Sequence, residues 1–303
     1  VALALILILV AVPALAQLRM HVIPFDSVTL TAQQVLLGET QGKSVTLAGE
    51  LRLPRSGTDK VPVVILVHGI NGLTPNHDEW ARALNSWGIG VFILDHLSGR
   101  GIAPMSPGDL QLSGGARMVD VYRALSVLSK HPRIDPERIA VMGFSMGGLA
   151  TLLSSQERFR TRYGPTDVQF AAYIALYASY PARLRDDVKV AARPIRLYHG
   201  TGDDWTTAAQ CRALIEDLKK AGADVTMTEY SGATHGYDDP SFKVRLNFAG
   251  AFSVRNCSLA EGDGGQIINS QTGKPFAPSD PCIEKGVSLQ YDEAATASTR
   301  EAV

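Results

Sequence analysis

Val141-Met142-Gly143-Phe144-Ser145-Met146-Gly147-Gly148 is the stretch on which the reading of this chain turns. It has the form Gly-x-Ser-x-Gly. Residues 138–142 have the length and apolar character of a buried strand, and residues 149–153 favour a helix. A serine between them sits on a tight, strained strand-to-helix turn. The residues two before and two after it must lack a Cβ that would clash, and Gly143 and Gly147 meet that need. The hydroxyl is then presented at the carboxyl edge of the sheet. The N–H of Met146 is left free to face a developing oxyanion, and the positive end of the following helix lies under the same spot. A chance Gly-x-Ser-x-Gly in a loop is the alternative, and the flanking strand and helix argue against it.

Working outward, residues 45–54 alternate as a half-exposed edge strand does. Residues 61–67 are apolar on both faces, the mark of a strand covered by helices on two sides. Residues 78–87 read as a helix and 90–95 as a second buried strand. Residues 97–115, rich in Gly, Pro and Ser, read as a long loop, and 120–130 as a helix ended by His131-Pro132. Beyond the serine come strands at 170–176 and 194–198, an amphipathic helix at 206–221 closed by Gly222, and a last strand at 224–230. This alternation predicts an α/β fold with a mostly parallel central sheet and helices on both faces, whose sites form at the carboxyl ends of the strands. Residues 242–286 show no clear period and read as an irregular excursion within a single domain over 17–303. A helix begun near Gln290 is cut off at Val303, as at a truncated end.

The 303 residues show no linker dividing them. The net charge of −1, with 19% charged residues, leaves no electrostatic footprint for nucleic acid or an anionic membrane surface. Residues 1–16 are almost wholly apolar and end in Ala14-Leu15-Ala16, which is the core and cleavage site of a secretory signal without its basic start. That reading predicts a periplasmic or secreted protein with no membrane attachment after cleavage; an uncleaved anchor is the alternative, for which the run is short. Export permits disulfides, and among Cys211, Cys257 and Cys282 all three pairings are open. No Cys-x-x-Cys spacing and no histidine cluster suggests a metal site, and no cofactor is called for.

A serine hydroxyl becomes a nucleophile at neutral pH when a neutral histidine accepts its proton and an acid holds that histidine's other nitrogen. This turn type orders the partners along the chain as acid, then histidine. After strand 194–198 come Asp203 and Asp204. Asp203 is preferred, because successive side chains in a turn point apart, while Asp204 can cap the helix that follows. His235, in Ala233-Thr234-His235-Gly236, is the sole histidine after the acid. His199 is the second choice of base, and His68 reads as packed or loop-ordering. The second oxyanion donor belongs just after the first buried strand, at Ile70 or else Gly69. Two such donors each contribute on the order of 3 kcal/mol to the transition state.

From about residue 45 to 237 the chain resembles the dienelactone hydrolase-like branch of the α/β-hydrolases. The resemblance rests on His68-Gly69-Ile70-Asn71-Gly72, on Arg133-Ile134-Asp135-Pro136-Glu137-Arg138-Ile139 leading into the serine turn, on Gly200-Thr201-Gly202-Asp203-Asp204-Trp205-Thr206 and on Thr234-His235-Gly236. It implies an α/β-hydrolase fold with Ser145 as nucleophile, Asp203 as orienting acid, His235 as base, and the N–H groups of Ile70 and Met146 as oxyanion hole. The namesake enzymes have a cysteine at the position of Ser145 and a glutamate at that of Gly69, so the serine makes this site similar to that of a general esterase.

The leading expectation is an exported serine hydrolase of carboxylic esters or lactones acting on a small molecule. A peptidase of short peptides and a catalytically idle binding scaffold are the alternatives. Trp205, Tyr177, Tyr180, Leu97, Arg100 and Met146 lie near strand ends and are candidates to line the pocket, with Arg100 able to meet a substrate carboxylate.

Overall fold

The computed structural model describes residues 19–54, 57–106 and 111–303, so the apolar leader read over residues 1–16 lies outside the described residues. In chain order the elements are β1 (Arg19–Thr29), α1 (Ala32–Leu36), β2 (Lys43–Leu53), β3 (Val61–Val67), α2 (Pro75–Ser86), β4 (Gly90–Asp95), α3 (Gly114–Leu128) and β5 (Ile134–Phe144). There follow α4 (Met146–Ser155), α5 (Glu157–Tyr163), β6 (Tyr173–Leu176), β7 (Ala182–Arg183), β8 (Ile195–Gly200), α6 (Ala208–Lys220) and β9 (Val225–Tyr230). The last part holds β10 (Leu246–Ser253), β11 (Leu259–Glu261), β12 (Ile267–Asn269), β13 (Lys274–Pro275), β14 (Glu284–Leu289) and α7 (Glu293–Ala302).

Eight strands form one sheet in the order β1-β2-β4-β3-β5-β6-β8-β9. The pairings β1/β2 and β2/β4 are antiparallel, and every pairing from β4 across to β9 is parallel. The expected mostly parallel α/β sheet is therefore present. Alternation along β3 shows how the sheet is covered. Ile65 and Val67 enter one core with Val121 and Leu125 of α3, while Val64 and Leu66 enter the other with Trp80 and Leu84 of α2. Each such fully buried aliphatic side chain stabilises the fold by about 1.5–3 kcal/mol.

Some readings differ from the sequence expectation. Residues 45–54 are not the sheet edge, because β1 pairs along β2 from Arg19 opposite Leu53 to Thr29 opposite Lys43. Pro24 sits in that strand, which is outermost among the described residues, where a residue lacking an N–H is tolerated. The 242–286 excursion is not irregular throughout. β10 pairs with β14, and β11 lies between β12 and β7 in a small sheet of very short strands. A disulfide between Cys257 and Cys282 closes it, leaving Cys211 as a buried free thiol. Helix α7 starts at Glu293, where Asp292 accepts the N–H of Ala295 as N-cap. Among the described residues no helix is long and apolar enough to cross a membrane.

Candidate active site

Strand β5 passes into helix α4 through Ser145, whose backbone has φ 54° and ψ −114°. Such a conformation in a residue other than glycine stores about 1–3 kcal/mol and persists only where its surroundings enforce it. Here the enforcement is steric. A Cβ on Gly143 would lie 2.1 Å from the carbonyl oxygen of Gly147, and one on Gly147 would lie 2.0 Å from that of Val67. The Ser145 N–H is also tied to the Leu176 carbonyl of β6 at 3.0 Å. The sheet and the helix thus hold the hydroxyl at the carboxyl ends of the strands.

Ser145, His235 and Asp203, 90 and 32 residues apart in successive pairs, meet there. His235 Nε2 lies 2.9 Å from Ser145 Oγ, and His235 Nδ1 lies 2.8 Å from Asp203 Oδ2. Asp203 is fixed from both sides: its Oδ1 accepts the backbone N–H groups of Trp205 and Thr206, each at 2.9 Å. The Thr206 hydroxyl sits 3.1 Å from both Asp203 Oδ2 and His235 Nδ1. Burial alone raises the Asp203 carboxyl, but the charges and hydrogen bonds of His235 and His199 outweigh it and hold the group well below the usual carboxylate range. An ionised acid therefore faces His235 at any working pH, which fixes the ring with its proton on Nδ1 and its lone pair toward the serine. The Nε2 of His199, the second choice of base, instead lies 3.2 Å from Asp203 and beside the Thr206 carbonyl.

The two N–H groups proposed for an oxyanion, those of Ile70 and Met146, have no hydrogen-bond partner among the described residues. The loop after β3 packs hard against Ser145: a Cβ on Gly69 would lie 3.2 Å from the Ser145 Cβ. His68 anchors that loop. Its Nδ1 reaches the Gly69 carbonyl at 2.7 Å, and its Nε2 accepts the His96 N–H at 3.3 Å, an arrangement only a neutral ring allows.

Asp204 does not cap the helix. Its carboxylate accepts the N–H and hydroxyl of Ser288 on β14, each at 2.8 Å, and so docks the excursion onto the site. Of the candidate pocket residues, Tyr177 and Trp205 line the space beside Ser145 and also flank the His235 ring, with centroids at 4.9 and 5.1 Å. Arg100 is a correction. Its guanidinium is spent on Asp120 at 2.8 and 2.9 Å, on the His96 carbonyl and on Thr29, its side chain is 3% exposed, and it lines neither cavity at Ser145.

A niche and a cleft adjoin the hydroxyl. The niche measures about 40 Å³, and its polar wall includes Asn71, Asn76, His77 and Asp239. The cleft measures about 340 Å³ and is lined by Met105, Met146, Pro181, Phe252 and Val254. A helix expected from Asp78 leaves the niche residues in the loop before it, whereas α2 starts at Pro75. Thr74-Pro75, with proline at the first helical position, was the signal for the earlier start that brings Asn76 and His77 inward. Thr206 was also missed, though a hydroxyl three residues after an aspartate is a common turn partner. Among the described residues no three His, Cys, Asp or Glu side chains gather as a metal-ligand set.

Burial lowers the His77 pKa to about 4 and holds that of His68 well below its ordinary value. Unfolding returns both to about 6.5, so between pH 6.5 and 4 the unfolded chain binds more protons and stability falls as the solution is acidified. For His77 the full loss is roughly 3 kcal/mol, complete near pH 4. Denaturant unfolding at pH 7.5 and 4.5 should show this drop, and His77→Gln should reduce it by about that amount; an undiminished drop in the variant contradicts the assignment.

The dienelactone hydrolase family model matches residues 47–251. An uncharacterized protein of Caenorhabditis elegans is 25% identical over 117 residues, 39% of this chain and 70% of that protein. An uncharacterized peptidase of Bacillus subtilis is 24% identical over 213 residues, covering 59% of this chain and only 31% of the peptidase. Among solved structures, a dienelactone hydrolase-like promiscuous phosphotriesterase from metagenomic libraries superposes with a TM-score of 0.58 at 17% identity. That superposition covers 93% of this chain and 95% of the other, and at such identity it establishes the fold.

Proposed function

Because the chain belongs to the dienelactone hydrolase family, whose members hydrolyse ester bonds, we propose that it does so through a covalent acyl-enzyme on Ser145. The observation that carries this reading is the 2.9 Å approach of His235 Nε2 to Ser145 Oγ, backed by the 2.8 Å approach of Asp203 to Nδ1. Ser145 Oγ attacks the ester carbonyl as His235 takes its proton. The oxyanion collects the N–H groups of Ile70 and Met146, and the alcohol departs with the proton returned by His235. Water, deprotonated by His235, then attacks the acyl carbon; the acid leaves and Ser145 recovers its proton. Asp203 stays ionised throughout and stabilises the imidazolium that forms.

A fluorophosphonate probe should label Ser145 and no other residue, and the label should vanish in Ser145→Ala. An unlabelled, folded wild-type protein would revive the idle-scaffold reading. The peptidase reading draws on the match to the Bacillus subtilis protein; faster turnover of an anilide than of its matched ester would favour it. We further propose that the chain is exported, a reading supported by the Cys257–Cys282 bond, which persists in oxidising compartments. Recovery of the mature protein in the cytosolic fraction would reject it.

A further inference from the structure

Oδ1 of Asn71, Oδ1 of Asn76 and Nε2 of His77, three buried polar atoms without a hydrogen-bond partner among the described residues, belong to residues that line one niche beside Ser145. Burying such a group unpaired is costly, so three around one small cavity mark a place that an incoming polar group completes.

Their neighbours set what that group must be. Asn76 gives its Nδ2 to Asp238 at 3.0 Å, and Asp238 also accepts from Trp80 at 2.7 Å and Tyr177 at 2.8 Å, so Asn76 has an acceptor oxygen to spare. His77 Nδ1 lies 3.1 Å from the Thr74 backbone N–H and 3.2 Å from the Thr74 carbonyl; that carbonyl already accepts the His77 backbone N–H at 3.0 Å, so Nδ1 takes the Thr74 N–H and the proton of the neutral ring sits on Nε2 as a spare donor. Asn71 carries an amide able to present either end. The Asp239 carboxylate adds negative charge, and neither Lys nor Arg is among the lining residues. A carboxylate or phosphate would meet oxygens without a cation, and an ammonium would leave the His77 N–H unpaired. A hydroxyl both donates and accepts, and it answers both needs.

Size completes the argument. The niche, at about 40 Å³, takes a group of one or two heavy atoms. The cleft across Ser145, at about 340 Å³ with methionine, proline, phenylalanine and valine walls, takes a chain of several carbons. Both cavities include Ser145 and Trp205, so one ester can span them with its carbonyl at the nucleophile.

We propose that the site selects esters joining a small hydroxyl-bearing part to a larger apolar part, with the hydroxyl bonded by Asn76 and His77 while the apolar part fills the cleft. This rests on the ester-hydrolase reading of Ser145.

The test compares kcat/KM within two matched pairs: 2-hydroxyethyl hexanoate against propyl hexanoate, and hexyl glycolate against hexyl propanoate. The hydroxylated member of at least one pair should be preferred by about tenfold or more, because the plain analogue leaves the site's polar groups unpaired. His77→Phe should bring that ratio close to one, and Asn71→Leu should lower it as well, keeping the test open if the first variant does not fold. Ratios near one in both pairs, with Ser145 still labelled by the fluorophosphonate, overturn the proposal and leave ordered water as the niche's occupant. A ratio unchanged in both variants overturns it equally. Loss of labelling and of ester turnover in the wild type would instead strike the Ser145 reading itself.

Discussion

Replacing Ser145 by alanine is expected to lower kcat/KM for a short nitrophenyl ester by about four to six orders of magnitude, the range seen when the nucleophile of a serine hydrolase is removed. The fold should survive. Alanine is no larger than serine at the φ 54° position, and the steric fence that enforces the turn is made by Gly143, Gly147 and the Val67 carbonyl rather than by the hydroxyl. Circular dichroism should therefore match the wild type while turnover vanishes. Turnover within tenfold of the wild type would mean that another group attacks the ester.

The second large effect is expected from Asp203→Asn, at about 10⁴ in kcat. With the amide oxygen kept on the Trp205 and Thr206 N–H groups, the new NH₂ replaces Oδ2 and faces His235 Nδ1. Two donors then oppose one another. The ring escapes by moving its proton to Nε2, where it can no longer accept one from Ser145. Asp204→Asn makes the contrasting control. That carboxylate meets Ser288 on β14 and not His235, so its loss should loosen the excursion and change activity far less. Equal damage from both substitutions would contradict the assignment of the acid.

The convergence of Ser145, His235 and Asp203 is legible in the sequence because a strand-to-helix serine turn fixes the order in which its partners follow, and one histidine comes after Asp203. Choosing between the adjacent carboxylates relied on side chains diverging in a turn, and the two indeed face His235 and β14 respectively. Arg100 went astray because a loop arginine gives no sign in sequence of the carboxylate it will find; Asp120, 20 residues on, comes from α3. The niche was invisible for a related reason. Unpaired atoms on Asn71, Asn76 and His77 arise from how α2 and the loop before it pack against β5, not from any pattern of residue types. The strands within 242–286 run as short as two or three residues, too few to display a period. Their pairing depends on partners such as β7, with Leu259 opposite Ala182, 77 positions earlier.

The most direct measurement is the mass of the peptide containing Ser145 after acid quench during steady turnover of a nitrophenyl ester. An acyl group on Ser145 that accumulates with the burst of nitrophenol, and disappears when substrate is exhausted, is the predicted result. A burst-free reaction that proceeds at full rate with Ser145 never acylated would contradict the account.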